Sequence, residues 1–153
     1  MSIISFILFV VIISVIFALM EIQIEGPHGW AQDLPTWKKY YEGRGPLKAL
    51  FNEKRPLTGY HLYLNLLLFL LMHFGFLTCG WFLSGEYYLI SAFMFILVLE
   101  DFLWFILNPA YGISKFDPQH IKWIGQWYLN IPLQYYFSIP VAVLFYLLAG
   151  FVR

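Results

Sequence analysis

Residues 86–107 read EYYLISAFMFILVLEDFLWFIL, an almost unbroken apolar run of 22 residues. About 20 consecutive apolar residues allow an α-helix to cross the hydrocarbon core of a bilayer. Three further stretches have the same character, at residues 3–20, 60–82 and 131–152. We therefore expect an all-α polytopic membrane protein, in which four transmembrane helices form one bundle that takes in the whole of residues 1–153.

The composition separates this chain from soluble proteins. Hydrophobic residues make up 61% of it and charged residues only 12%, whereas soluble domains carry about 25% charged residues. The formal net charge is zero, which provides no basic surface for nucleic acid. The single cysteine, Cys79, excludes an internal disulfide and a cysteine-rich metal site. We therefore expect membrane lipids as partners, and no nucleic acid.

Two polar connections hold most of the positive charge. Residues 21–59 and 108–130 contain eight of the nine Lys and Arg residues. With four spans, both connections lie on the same side of the membrane, and the positive-inside rule makes that side cytoplasmic. We therefore expect a multi-pass protein of the plasma membrane with both termini outside.

The same two connections predict short helices at the membrane surface. Residues 21–59 interleave aromatic and basic side chains with Gly and Pro, which favours amphipathic helices in the headgroup region. In the second connection, Asp117 followed by Pro118 is a helix start signal. A short interfacial helix with Trp123 and Trp127 on one side is expected to follow.

Two carboxylates, Glu100 and Asp101, interrupt the apolar run of residues 86–107. Glu100 lies eight residues before Asn108, or about 12 Å along a helix, and therefore inside the hydrocarbon. Ionisable groups at such depth are costly and often functional. Burial also favours the protonated form of a carboxyl group, which suits a proton donor near neutral pH. We predict catalytic roles for both residues.

The alternative interpretation of this carboxylate pair is a purely structural role. Glu100 and Asp101 would then form a buried salt bridge, and the candidate partners are Lys122, Lys48 and Arg44. A pair of buried charges of opposite sign needs no catalytic role to explain it.

Other ionisable residues fall at the same predicted depth. We predict Glu25, His28, His61 and His120 as ligands of a divalent metal, because carboxylates with imidazoles suit Zn, Fe or Mn. Glu25 and His28 also have the spacing of the carboxylate-bridged di-iron motif. Gly26 and Pro27 stand between them, however, so these two residues do not share a regular helical turn.

These patterns favour a small intramembrane enzyme that acts on a lipid-like substrate by metal or acid/base chemistry. Its predicted substrate-binding residues are Trp104, Asn108, Trp123 and Trp127. Two other hypotheses remain open. The chain could be a non-catalytic subunit or assembly factor of a larger membrane complex, with His61 or His73 as haem ligands. It could also be a homo-oligomeric carrier of ions or small solutes, with Glu100 and Asp101 as the ion site.

Overall fold

The computed structural model describes residues 2–40 and 55–152, and four long helices dominate this part of the chain. We name the helices α1 (Ile3–Glu25), α2 (Gly59–His73) with its one-turn extension α3 (Phe76–Cys79), α4 (Leu83–Leu107) and α5 (Leu133–Phe151). All four spans, with α2 and α3 taken as one, are long and apolar enough to cross a membrane. The prediction of a mostly helical chain with four such segments is confirmed.

The largest shift in a helix boundary occurs at the end of α1. This helix was expected to stop near residue 20, but it continues to Glu25 and ends at Gly26, whose φ is +68°. Glycine adopts this left-handed conformation without the steric cost that a Cβ would bring. The extra turn keeps Glu21 and Glu25 on one helical face, four residues apart.

Helix α4 is the centre of the bundle, because α1 and α5 both pack along its length. Small buried side chains allow the close approach: Ser14 and Ala18 on α1, Ser91 on α4, and Ala142 on α5. The Ser91 hydroxyl donates a hydrogen bond to the Ala142 carbonyl at 2.7 Å. Small residues and interhelical hydrogen bonds are the usual means of helix association in membranes.

Helix α2 packs differently from the other three. It contacts α4 sparsely, and few of its side chains are fully buried within the part of the chain that the structure describes. Leu66, Leu67, Leu70 and Leu71 lie on its exposed face, whereas Leu68 on the opposite face belongs to the apolar core.

Two short antiparallel hairpins lie beside the helix ends. Strand β1 (Lys38–Lys39) pairs with β2 (Leu57–Thr58), with Lys38 opposite Thr58. Strand β3 (Trp127–Tyr128) pairs with β4 (Ile131–Pro132), and both residues of its turn, Leu129 and Asn130, have positive φ. Hairpin β1–β2 leads directly into α2, and hairpin β3–β4 leads directly into α5.

The predicted interfacial helix after Asp117 is wrong. Asp117 does accept hydrogen bonds from the amides of Gln119 and His120, but only one turn forms before the chain extends towards β3. Tertiary burial overrides the local signal, because Ile121 and Ile124 are inserted into the apolar cluster around Phe105. A 3₁₀ turn at Ile113–Lys115 is the only helical element described in residues 108–130.

The amphipathic helices predicted for the first connection are also absent from its described residues. Residues 26–40 form turns and strand β1 rather than a helix. Glycine and proline, which break helices, are frequent there. The remainder of that prediction, at residues 41–54, lies outside the described residues.

The small-residue contact between α4 and α5 can be tested by substitution. We expect Ser91→Leu to lower the unfolding free energy by about 1–3 kcal/mol, because the larger side chain forces the two helices apart. Thermal unfolding in detergent micelles measures the change. The matched control is Ser5→Leu, at an exposed position of α1, which should change stability by less than about 0.5 kcal/mol. Equal effects at both positions would contradict this packing.

Candidate metal centre

Three potential metal ligands converge where α1 ends and α2 begins. One ligand atom each from Glu21, Glu25 and His61 can be chosen so that all three lie within 4.8 Å of one another. Glu21 is 6% exposed and Glu25 is 7% exposed. The two carboxylates come from successive turns of α1, and the imidazole comes from the first turn of α2.

The His61 ring is held on two sides. Its Nδ1 lies 2.6 Å from Oγ1 of Thr58, the residue that also caps α2 by accepting the His61 amide. The Trp30 ring stacks on the imidazole at 4.1 Å between centroids. When Nδ1 carries the proton and donates it to Thr58, Nε2 is left with its lone pair directed at Glu25. Metal-binding histidines are commonly oriented by such a partner on the second ring nitrogen.

The turn that follows α1 completes the surroundings of Glu25. Its Oε1 lies 3.2 Å from Nε2 of His61 and accepts the backbone amide of Ala31 at 2.6 Å. Trp30 and Ala31 both have positive φ, +48° and +50°, which costs about 1–3 kcal/mol per residue for side chains other than glycine. This strained turn places the Trp30 ring over His61 and the Ala31 amide against Glu25.

Glu100 lies beside this group and is only 8% exposed. Its carboxyl group interacts with that of Glu21 across the α1–α4 interface. Among the described residues, Oε1 of Glu100 has no hydrogen-bond partner, and the same holds for the Tyr60 hydroxyl and the Trp104 indole N–H. Buried polar atoms without partners are rare in proteins, and two of these three atoms belong to residues that line the cavity described below, Glu100 and Trp104.

Asp101 is satisfied by protein groups, unlike Glu100. It accepts a hydrogen bond from the Tyr135 hydroxyl at 2.5 Å and pairs with Nη2 of Arg55 at 3.6 Å. The Arg55 guanidinium also donates to Gln134 at 2.6 Å and lies 3.9 Å from the centroid of the Trp30 ring. Asp101 therefore anchors a largely buried ion pair next to the carboxylate–histidine group.

Most of these groups line one cavity of about 360 Å³. Its carboxylates, His61 and Arg55 gather where the helices end. Apolar residues of α2 and α4, together with Asn65 and Ser138, line the part that extends towards the middle of the bundle. The apolar residues there are Leu62, Met94, Leu97 and Val98.

Six of the predicted site residues line this cavity: Glu25, His61, Glu100, Asp101, Trp104 and Trp123. The other four predicted residues have different surroundings. His28 pairs with Asp33 and its side chain is 59% exposed. Asn108 has a structural role, because its side-chain amide donates to the Gly26 carbonyl at 3.1 Å and so links the end of α4 to the end of α1. Trp127 packs against Phe116.

His120 is likewise not brought to the carboxylate–histidine group. Its Nδ1 lies 2.6 Å from Asp117 in an exposed turn. Desolvation acts to raise the pKa of the Asp117 carboxyl, but hydrogen bonds from the His120 side chain and amide outweigh it and lower that pKa below its ordinary value. The Asp117–His120 pair is therefore a stable local contact.

Sequence reasoning assigned no site role to Glu21 or Arg55. The signal for Glu21 was present, since it lies four residues before Glu25 in an otherwise apolar helix. The sequence does not single out Arg55, because it lies in the connection of residues 21–59, which contains several other Lys and Arg residues. The buried salt bridge considered for the carboxylate pair does exist at Asp101, but Arg55 is its partner. Two of the expected partners, Arg44 and Lys48, lie outside the described residues.

The two histidines considered as haem ligands lie at opposite ends of α2. His61 and His73 are twelve residues apart on this helix, or about 18 Å. His73 is bonded to Glu86 at 3.1 Å and lies 2.7 Å from the Phe69 carbonyl.

Comparison with known proteins gives no match: no family model, curated protein or solved structure is significantly similar to this chain.

The ion pair beside the centre can be tested by a double-mutant cycle. We expect Asp101→Asn to lower the unfolding free energy by about 1–3 kcal/mol, because it removes the charge that compensates buried Arg55. The double variant Asp101→Asn/Arg55→Met should lose less unfolding free energy than the two single variants lose together. Thermal unfolding in micelles measures each variant. Asp33→Asn, at an exposed position, is the matched control, and additive effects at 55 and 101 would contradict the pair.

Proposed function

We propose that this chain is an intramembrane enzyme in which Glu21, Glu25 and His61 bind a divalent metal ion for chemistry on a lipid-like substrate. The observation that carries the proposal is the convergence of these three ligand atoms beside a buried oxygen of Glu100 that has no hydrogen-bond partner among residues 2–40 and 55–152.

The membrane part of the proposal is supported by the outer surface of the helices. Large aliphatic side chains are exposed along α1 and α2, for example Ile4, Ile12, Leu67 and Leu71. Contiguous apolar surface of this extent is unfavourable in water and ordinary in lipid. The proposed arrangement is a multi-pass protein of the plasma membrane, with the metal centre near the cytoplasmic surface and both termini outside.

The charge balance of the site favours a cation. Two carboxylates, Glu21 and Glu25, are buried near a single imidazole that is neutral when it acts as a ligand. Buried carboxylates of like charge need a counter-charge or a proton. A divalent ion would neutralise both of them at once. The adjacent charges of Asp101 and Arg55 already cancel each other.

The separation of two of the ligand atoms suits binding to one ion, and the third lies within 4.8 Å of both. Donor atoms of a tetrahedral zinc ion, with bonds of about 2.0–2.2 Å, lie roughly 3.4 Å apart. The separation of the His61 and Glu25 donor atoms is 3.2 Å. Three protein ligands leave at least one coordination position open, as in catalytic rather than structural sites. Zn, Fe and Mn all accept this oxygen and nitrogen ligand set.

The protein groups around the ion would supply the remaining chemistry. A divalent ion with an open position can polarise a substrate oxygen or activate a water molecule. Glu100 lies next to Glu21 and can accept or donate a proton there, since one of its oxygens has no partner in the part of the chain that the structure describes. Thr58 and Trp30 would keep the His61 ring in its binding orientation.

Metal analysis of the purified protein tests the centre directly. We expect about one Zn, Fe or Mn ion per chain by mass spectrometry of the element content, or stoichiometric uptake when these ions are added to metal-free protein. His61→Gln and Glu25→Gln should each weaken binding by at least about tenfold, and Thr58→Ala by about 10–100-fold, because the ring loses its orienting partner.

The chain offers a matched control in a second carboxylate–histidine pair. His73 and Glu86 lie 3.1 Å apart at the opposite end of α2 and α4, so His73→Gln and Glu86→Gln remove the same chemical groups away from the site. Metal content should be unchanged in both variants. Absence of any bound ion in the native protein, with no uptake on titration, would overturn the metal centre.

The proposed topology has its own test. Reporter domains that are active on only one side of the membrane, fused after residue 153 or inserted between residues 112 and 113, should give opposite results. We expect the C-terminal fusion to report the outside and the insertion to report the cytoplasm, because the basic connections remain inside. The same side for both would contradict four spans.

A further inference from the structure

The cavity at the proposed metal centre has a polar end and an apolar end. The polar end holds Glu21, Glu25, His61 and Glu100, and the apolar end is lined mainly by Leu62, Met94, Leu97 and Val98. The polar residues beyond the helix ends are Ser138 and Asn65, and the Asn65 amide is bonded to the His61 carbonyl. Met94 precedes Asp101 by seven residues on α4, a distance of about 10 Å along the helix. The cavity therefore runs from the helix ends towards the middle of α4.

This direction matches the polarity of a lipid in one leaflet. In the proposed membrane arrangement the middle of α4 lies near the bilayer midplane, and the carboxylates lie closer to the surface. A lipid that enters with its chain directed at the midplane would bring its polar end to the metal centre. A volume of about 360 Å³ is at the lower end of the roughly 300–1,000 Å³ typical of ligand sites, so it admits the polar end and the first part of a chain.

The charges at the polar end disfavour an anionic headgroup. Of the described residues that line the cavity, Arg55 is the only permanent cation, and it is bound to Asp101 and Gln134. With a divalent ion balancing Glu21 and Glu25, the remaining carboxyl group, Glu100, makes the centre neutral or negative. A phosphate would find no second permanent cation among the described lining residues to compensate its charge.

The unpartnered polar atoms favour a group that both donates and accepts hydrogen bonds. The Trp104 indole can only donate, and an ionised Glu100 can only accept. Both residues line the cavity, four positions apart on one face of α4, and each has a polar atom without a partner among the described residues. A hydroxyl group can accept a hydrogen bond from Trp104 or donate one to Glu100. An ether can only accept, and a quaternary ammonium can do neither.

From these features we propose that the substrate is an uncharged long-chain lipid whose polar end carries hydroxyl groups, an assignment that rests on the metal function proposed above. The hydroxyl end of the lipid lies between the metal centre and Trp104. Its hydrocarbon chain follows Leu97, Val98 and Met94 towards the midplane. The rest of the hydrocarbon chain lies in the bilayer beside α2, which contacts α4 sparsely.

Photolabelling tests the substrate class. The probe is a long-chain alcohol with a diazirine in its chain, added to the metal-loaded full-length protein in phosphatidylcholine nanodiscs. We expect labelling of α4 near Met94–Val98. Competition by the unlabelled alcohol should be about tenfold stronger than competition by an alkyl phosphate or an alkyl ammonium of equal chain length. Equal or stronger competition by the phosphate would overturn the proposal.

Two tryptophan substitutions on α4 provide the structural control. Val98→Trp fills the apolar end and should lower labelling about tenfold, and Met94→Trp serves the same purpose if the first variant fails to fold. Leu107→Trp lies outside the cavity at an exposed position and should label like the native protein. Undiminished labelling in folded Val98→Trp or Met94→Trp would show that the lipid binds elsewhere.

The metal content of the same samples separates the two proposals. A bound ion without preference for the alcohol would overturn the substrate class and leave the metal function supported. Selective labelling by the alcohol in protein that binds no ion would overturn the metal function and support the lipid class alone.

Discussion

Burial of carboxylates is the constraint around which one end of this bundle is organised. An ionised carboxylate loses favourable hydration when it leaves water, and it must regain that energy from charges and hydrogen bonds. Asp101 does so through Arg55 and Tyr135. Glu25 regains part of it through the Ala31 amide. Glu100 keeps an oxygen without a partner among the described residues. The described protein groups therefore do not fully compensate the hydration that this carboxyl group loses on burial.

The backbone around the site is arranged to meet the same constraint. The left-handed residues Trp30 and Ala31 are unfavourable by themselves, yet they direct an amide to Glu25 and an aromatic ring over His61. Asn108 ties the end of α4 to the end of α1. Rigid support of this kind holds ligand groups in place before a metal or substrate arrives.

The two ends of the bundle differ in chemistry as well as in packing. At the far end, His73 and Trp81 both bind Glu86, and this single carboxylate is satisfied by protein groups. Small buried side chains on α4 and α5, among them Ser91 and Ala142, let these helices pack closely in that half. Helix α2 reaches the core through Leu68 but contacts α4 sparsely, and residues of both helices line the cavity that reaches the carboxylates. The carboxylate–histidine group and this close-packed region therefore occupy different ends of the bundle.

The sequence by itself determined the four long apolar helices, because spans of this length and hydropathy have few alternative structures. It also identified Glu25, His61, Glu100 and Asp101, since ionisable groups in apolar segments are rare. Only the tertiary structure decided which of the candidates meet. It joined Glu21 and Arg55 to the site, kept His28 and His120 with local aspartates, and replaced the expected helix after Asp117 with an extended chain. The reason is that burial of Ile121 and Ile124 and pairing across helix ends depend on residues far apart in sequence, which local patterns do not encode.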